Sequence, residues 1–177
     1  MDGGLLLMRV VLGAIMAAHG AQKLFGWFGG FGIAGTAGWL KSMGFKQPRL
    51  YATVNGLGEF GGGLLLALGF LTPLGAAAVA GVMLVAIGLV HWSNGFFNSS
   101  GGYEFNLLIV VTSIALAMTG PGTISLDNLV GWNLAGPEWG LVVLAASAVA
   151  AGSVLAMRKP SPEQTEEEKS REEAAAA

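Results

Sequence analysis

Residues 5–25 read LLLMRVVLGAIMAAHGAQKLF, an apolar run that also contains the ionisable residues Arg9, His19 and Lys23. A helix of about 20 apolar residues crosses the roughly 30 Å hydrocarbon core of a bilayer, so this run predicts a membrane span. Ionisable groups inside a span are costly and usually face a bundle interior or a water-filled cavity, where they mark a functional path. The polar positions of this span and its neighbours therefore indicate where function resides.

The composition predicts a polytopic membrane protein. The chain has 177 residues, of which 53% are apolar and only 11% charged, whereas a soluble domain averages about 25% charged residues. Six of the 11 acidic residues lie within residues 163–177, so the rest of the chain is almost uncharged. The sequence has no basic patch that would indicate a nucleic-acid partner. Membrane lipid is the expected environment.

The absence of cysteine excludes several chemistries. With no Cys, the chain forms no disulfide, thiolate nucleophile, Cys-ligated iron–sulfur or zinc site, or covalently attached c-type haem. Any redox role must use a bound cofactor or a substrate such as a quinone.

Five apolar stretches predict an all-α membrane protein, a four-helix transmembrane bundle plus a fifth, C-terminal transmembrane helix. A short helix near residues 36–46 is expected in the headgroup plane, because large apolar residues recur there at helical spacing beside lysines. The four-helix core is assigned to residues 1–130, and the charged tail at 158–177 is predicted to be disordered. We expect the first span to be retained, because it lacks the basic start of a signal peptide. The predicted spans are residues 5–25, 51–71, 73–91, 104–118 and 139–157.

The basic residues predict the orientation of the spans. Lysine and arginine accumulate in cytoplasmic loops, and here they follow the first span, between Lys23 and Arg49, and the fifth, at Arg158 and Lys159. With five crossings both regions fall on one side. The prediction is a plasma-membrane or inner-membrane protein with its amino terminus outside and its tail in the cytoplasm.

Five ionisable residues from four spans are predicted to lie in the inner half of the membrane: His19, Lys23, Glu59, His91 and Glu104. His19, Glu59 and Lys23 are the candidates for catalysis, and His19, His91 and Glu104 are the candidates for binding a cofactor. For His19 three interpretations remain open: a structural hydrogen bond to Glu59 or a carbonyl, a proton-transfer or quinone contact, or ligation of a metal or haem. A b-type haem is disfavoured, and no metal is expected, since neither histidine follows a glutamate by three residues as a di-iron bundle requires.

Glu59 has no polar neighbour in sequence, so it must find a cation or remain protonated. Lys23 and Arg9 are its candidate partners, and His19 is expected to couple with it on a neighbouring helix. Arg9 is otherwise expected to extend to the membrane interface. Asp127 is expected to cap a turn or to pair with Arg9.

Several motifs, taken in their order along the chain, make it resemble the DoxX family over about residues 5–130. The resemblance rests on residues 9–13 (RVVLG), 19–23 (HGAQK), 58–69 (GEFGGGLLLALG), His91, Glu104 and 120–127 (GPGTISLD). It implies a four-helix membrane bundle whose relatives are linked to membrane-associated oxidoreductase complexes and, in the related DoxD branch, to thiosulfate oxidation with a quinone as acceptor. The fifth span and the tail lie outside that core.

Three functions follow as expectations. The first is an accessory subunit of a quinone-linked oxidoreductase, with a soluble or membrane oxidoreductase as partner. The second is a carrier or channel for a small solute, and the third is a purely structural membrane anchor for a soluble enzyme. A homo-oligomer is compatible with each.

Overall fold

A computed structural model of the protein describes residues 2–159 together with residues 166, 169, 170, 173 and 174. The tail predicted to be disordered therefore lies mostly outside the described residues. Within residues 2–159 the fold is helical and contains no strand. Its α-helices are α1 (Asp2–Phe25), α2 (Gly32–Ser42), α3 (Pro48–Leu68), α4 (Thr72–Ala86), α5 (Glu104–Thr119), α6 (Leu126–Leu129) and α7 (Pro137–Ala156).

Three of the described helices are long and apolar enough to cross a membrane: Asp2–Phe25, Thr72–Asn94 and Pro137–Ala156. The second consists of α4 extended by a π-helical turn (Ile87–His91) and a 3₁₀ turn (Trp92–Asn94). Helices also form at the other two predicted spans. Of these, α5 is apolar but has only 16 residues, whereas α3 has 21 residues and includes polar positions.

Local sequence signals explain where the helices begin and end. α3, α4 and α7 each have a proline in the first turn, where its missing N–H costs nothing and its fixed φ suits the helix. α3 ends at Gly69, which adopts the left-handed conformation with φ of 62° that commonly terminates helices. Only two residues, Phe70 and Leu71, separate Gly69 from α4, so α3 and α4 are antiparallel neighbours.

The tightest contact in the bundle joins α1 and α3. A Cβ on Gly63 would lie 2.5 Å from the carbonyl oxygen of Gly13 and 2.6 Å from the amide nitrogen of Ala17, and a Cβ on Gly20 would collide with the backbone of Phe60. Small residues let helices approach this closely in lipid, where packing drives association. Since Gly13 meets Gly63 and Gly20 meets Phe60, α1 and α3 run antiparallel.

α4 lies at the centre of the other half of the bundle, packed against α3, α5 and α7. Its side chains Val79, Ala80 and Met83 belong to the main buried apolar cluster, together with Met16 of α1 and Val143 of α7. The approach of Gly81 to Ser147 and of Gly88 to Leu155 shows that α4 and α7 run parallel.

The ends of the helices form two opposite faces. One end, which we call the Asp127 face, holds the start of α1, the α3–α4 turn and α6: Asp127 N donates to Gly69 O over 2.8 Å. The other, which we call the Lys41 face, holds the end of α1, the α2–α3 loop and the end of α7. There Arg158 Nε donates to Met43 O over 2.8 Å, and Lys159 N donates to Gly44 O over 3.0 Å.

α2 begins four residues before the helix predicted at 36–46 and also ends earlier. Its Ala37 and Leu40 are buried in a second apolar cluster with Ala52 of α3 and Val85 of α4. Its location in the headgroup plane stays a prediction.

We expect Gly63→Ala to lower the melting temperature in detergent, because the added methyl group would push apart two backbones in contact. Overpacking of this kind typically costs about 1–3 kcal/mol. Gly61→Ala on the same helix is the matched control, because its Cβ would enter open space and alanine favours a helix interior by about 0.5–1 kcal/mol. Equal melting temperatures of the two variants would contradict the close α1–α3 contact.

Candidate functional site

A buried ion pair joins α1 to α3 near the Lys41 face. Lys23 Nζ lies 2.6 Å from Glu59 Oε1 and also donates to Asn55 Oδ1 over 2.7 Å. The Glu59 side chain is only 2% exposed, while that of Lys23 is 33% exposed. The second carboxylate oxygen, Glu59 Oε2, is buried and has no hydrogen-bond partner in the described part of the chain. Of the two predicted cations for Glu59, Lys23 is the one that the structure places there.

The close helix contact creates this pair. Gly20 and Gly56 bring α1 against α3, with Gly56 facing the side chains of Leu24 and Lys23. Asn55 and Glu59 are four residues apart and therefore share one face of α3. Sequence reasoning missed Asn55, because its spacing from Glu59 becomes meaningful only once Lys23 of α1 is placed against both residues.

The pair retains capacity for hydrogen bonding and proton transfer. A lysine ammonium has three donors, and Lys23 uses two of them on Glu59 and Asn55. Burying two charges is costly unless they are paired and hydrogen-bonded, yet one oxygen of Glu59 has no described donor. The cluster can therefore donate to an acceptor on a ligand, and it can hold a proton on either the amine or the carboxylate.

A cavity of about 360 Å³ lies beside Lys23, and we call it the polar cavity. It is bounded by the end of α1, the glycine-rich segment that follows, α2 and α3. Gln22, Lys23, Thr36 and Asn55 supply its polar groups; its other lining residues are Gly29, Gly30, Phe31, Gly35, Trp39 and Leu40. Its walls thus combine hydrogen-bonding groups with two aromatic rings, a combination typical of sites for small organic ligands.

The glycine-rich segment between α1 and α2 closes one side of the polar cavity. Phe28 has a φ of 53°, an uncommon conformation for a bulky residue that must be held by its surroundings. Gln22 Nε2 donates to Phe28 O over 3.2 Å, and Gly30 packs so closely on the Gln22 backbone that a Cβ would not fit. Gln22 therefore anchors this wall of the cavity.

The structure does not bring the other candidates to this site. His19 is exposed on α1, and no residue of the described chain forms a hydrogen bond or ion pair with it. The predicted hydrogen bond between His19 and Glu59 is wrong, because Gly20 rather than His19 faces α3. His91 Nδ1 lies 2.7 Å from Gly101 O, and Glu104 Oε1 accepts from Asn98 N over 2.8 Å, so both order the loop between α4 and α5.

A second buried polar cluster lies at the Asp127 face. Arg9 is only 1% exposed; its Nη2 donates to Ile124 O and its Nη1 to Ala67 O over 3.4 Å. The expectation that Arg9 extends to the membrane interface is wrong, since the loop before α6 covers it. Arg9 also does not pair with Glu59.

Asp127 caps the start of α4, as one of the two sequence interpretations proposed. Its carboxylate accepts from Leu71 N over 2.7 Å, Thr72 N over 3.0 Å and Thr72 Oγ1 over 2.7 Å. A carboxylate at a helix start is stabilised by the free N–H groups and the helix dipole. Asp127 and Arg9 interact electrostatically but form no direct ion pair within the described residues.

Comparison with known proteins identifies the family. The family model described as DoxX matches residues 4–92, which include Lys23, Asn55 and Glu59. The chain belongs to the DoxX family. Glu104 and the 120–127 motif, which also contributed to the resemblance, lie outside the matched residues.

Curated relatives agree with this assignment. The chain is 34% identical over 128 residues to "Inner membrane protein YqjF" of Escherichia coli (strain K12), covering 72% of this chain and 92% of that protein. It is 34% identical over 127 residues to "Putative oxidoreductase CatD" of Bacillus subtilis (strain 168), covering 72% and 87%. "Inner membrane protein YphA" of Escherichia coli (strain K12) is 29% identical over 129 residues, covering 70% and 88%. No solved structure matches this DoxX family protein significantly.

We expect a double-mutant cycle of Lys23→Met and Glu59→Gln to be non-additive in the free energy of unfolding, by about 0.5–3 kcal/mol for groups in contact. Each single change leaves a buried polar group without its partner, and the double change removes both charges. His19→Phe combined with Glu59→Gln is the control and should be additive within about 0.3–0.5 kcal/mol. Additive effects for Lys23 and Glu59, or coupling for His19, would contradict the geometry.

Proposed function

We propose that this protein is a membrane subunit of a quinone-linked oxidoreductase system and that its polar cavity binds the quinone headgroup. One observation carries the proposal: Lys23, paired with the buried carboxylate of Glu59, lines a cavity that also has aromatic walls. A quinone ring presents carbonyl oxygens, which accept hydrogen bonds, and a flat apolar face. The name of the relative CatD supports the same class of activity.

The proposed roles follow from the chemistry of quinone reduction. Conversion of a quinone to a quinol requires two electrons and two protons, one for each carbonyl oxygen. Lys23 Nζ donates a hydrogen bond to one carbonyl and then a proton as charge develops on that oxygen. Lys23 then regains a proton from water, which can reach its 33% exposed side chain, and the neighbouring Glu59 carboxylate favours the recharged ammonium. Water also supplies the proton for the second carbonyl oxygen. The chain has no cysteine to serve as a thiol redox centre, so an oxidoreductase partner with a reduced cofactor supplies the electrons.

The polar contacts of the cavity also assign its supporting residues. Asn55 accepts a second hydrogen bond from the Lys23 ammonium and so helps to hold it at the cavity. Trp39, which is 44% exposed, and Phe31 supply aromatic surfaces on which a quinone ring can stack. Aromatic rings prefer such offset or edge-on contacts at centroid distances of about 4.5–7 Å.

The test is a binding titration with tail-less quinones, ubiquinone-0 and menadione, followed by quenching of tryptophan fluorescence in the purified protein. For whichever of these two quinones binds more tightly, Lys23→Met should weaken the affinity about tenfold, equivalent to about 1.4 kcal/mol. Glu104→Gln is the control, because Glu104 contacts only the loop at Asn98 among the described residues, and it should bind like the unmodified protein. Equal affinity of Lys23→Met and Glu104→Gln would overturn the proposal.

The rival functions give different results in the same preparation. A structural anchor would bind neither quinone, and its loss would affect only assembly of the partner enzyme. A solute carrier would support flux of a small solute into liposomes that depends on Glu59 without any quinone.

We further propose five membrane crossings, including α3 and α5, with the Lys41 face in the cytoplasm. The Lys41 face carries the loop lysines and arginines, and basic residues accumulate on the cytoplasmic side. In this cysteine-free chain, Leu129→Cys, whose site is 77% exposed, should react from outside with an impermeant thiol reagent. Lys41→Cys should react only after the cells are made permeable; the reverse pattern would overturn the orientation.

A further inference from the structure

A second cavity, which we call the apolar groove, lies next to the polar cavity. Its volume is about 230 Å³, and its walls come from α2, α3, α4 and α7. Of its lining side chains only Tyr51 and Asn55 carry a polar group. The polar cavity and the apolar groove share two lining residues, Leu40 and Asn55. These two side chains therefore lie at the boundary between the cavity and the groove.

Small residues create the groove. α3 and α7 both pack against α4, and between them α4 presents Ala77, Ala78 and Gly81. Gly58 of α3 and Ala150 of α7 line the same gap. Larger side chains at these positions would fill the space between the helices, so the groove is a consequence of the sequence.

The groove runs from the Lys41 face toward the middle of the bundle. At the Lys41 face its end is formed by Phe45 and Tyr51, whose ring centroids are 4.8 Å apart, and Tyr51 Oη contacts Met157 Sδ at 2.7 Å. At its other end lies Ala77, next in sequence to Ala78, which packs on Gly62 just past the middle of α3. An apolar chain in the groove would thus start beside Asn55 and extend into the hydrocarbon region.

We propose that the apolar groove binds the isoprenoid tail of a long-chain quinone whose headgroup occupies the polar cavity. This inference rests on the proposed function and adds the ligand's chemical class: a quinone with a hydrophobic tail, rather than a short water-soluble one. The juxtaposition of a hydrogen-bonding cavity and an apolar groove at Asn55 matches the two halves of such a molecule. In lipid the free tail already lies in hydrocarbon, so close packing against the groove walls, rather than removal from water, favours its binding there.

The test compares a tailed and a tail-less probe, decylubiquinone and ubiquinone-0, in the full-length protein with a groove-filling substitution. Ala150→Phe places an aromatic ring in the groove. Ala148→Phe is the matched control, because Ala148 is exposed on the same helix and does not line the groove. The measured quantity is the dissociation constant of ubiquinone-0 divided by that of decylubiquinone. Both are measured at one detergent concentration, because partition of the probes into micelles is then the same for both variants.

The expected result is that Ala150→Phe lowers this ratio about tenfold relative to Ala148→Phe, whose ratio should equal that of the unmodified protein. If ubiquinone-0 binds but both variants give the same ratio, the tail inference is overturned while the proposed function stands. If neither probe binds the unmodified protein, the proposed function itself fails. Displacement of decylubiquinone by dioleoylphosphatidylcholine, without any effect on ubiquinone-0, would identify the groove as a lipid acyl-chain site and would also overturn the inference.

Discussion

The close contact between α1 and α3 determines the positions of three ionisable side chains inside the bundle, Arg9, Lys23 and Glu59. At Gly13, Gly20 and Gly63 the two backbones meet with no room for a Cβ. In hydrocarbon a polar group finds no water, so it must be satisfied inside the protein. With the helices this close, Lys23 at one end of α1 reaches Glu59, and Arg9 near the other reaches the carbonyl of Ala67. A wider separation would break the Lys23–Glu59 ion pair and the Arg9–Ala67 hydrogen bond and leave the Glu59 carboxylate without its described donor.

The two buried carboxylates differ in a way that separates a structural role from a functional one. Asp127 receives three donors, which occupy both of its oxygens and fix the start of α4. Glu59 receives Lys23 on one oxygen only and leaves the other without a described donor. Leaving a buried acceptor unsatisfied typically costs about 1–3 kcal/mol. This cost arises beside Lys23, which lines the polar cavity, and under the proposed function the Glu59 carboxylate keeps the adjacent ammonium charged for proton donation.

The sequence predicted the helices and their order because apolar length, prolines and glycines are local signals. It also predicted Glu59 as a buried group with Lys23 among its partners, since depth along a helix follows from counting residues. It did not predict rotation about the helix axis: consecutive residues differ by 100°, so Gly20 faces α3 and the neighbouring His19 does not. Arg9 was misplaced for a related reason, because the loop that covers it comes from a distant part of the chain. Asn55 was missed since an amide four residues before a glutamate is not informative until a lysine from another helix lies between them.

The polar cavity and the apolar groove are built from different parts of the chain. All lining residues of the polar cavity lie between Gln22 and Asn55, within the segment that the DoxX family model matches. The apolar groove takes one wall from Ala150, Ala151 and Val154 of α7, outside that segment. A family member without a helix in the place of α7 would keep the Lys23–Glu59 chemistry but expose this side of the groove to lipid. Under the two proposals, recognition of the headgroup would therefore depend on the family core, whereas recognition of the tail would depend on a helix that lies beyond it.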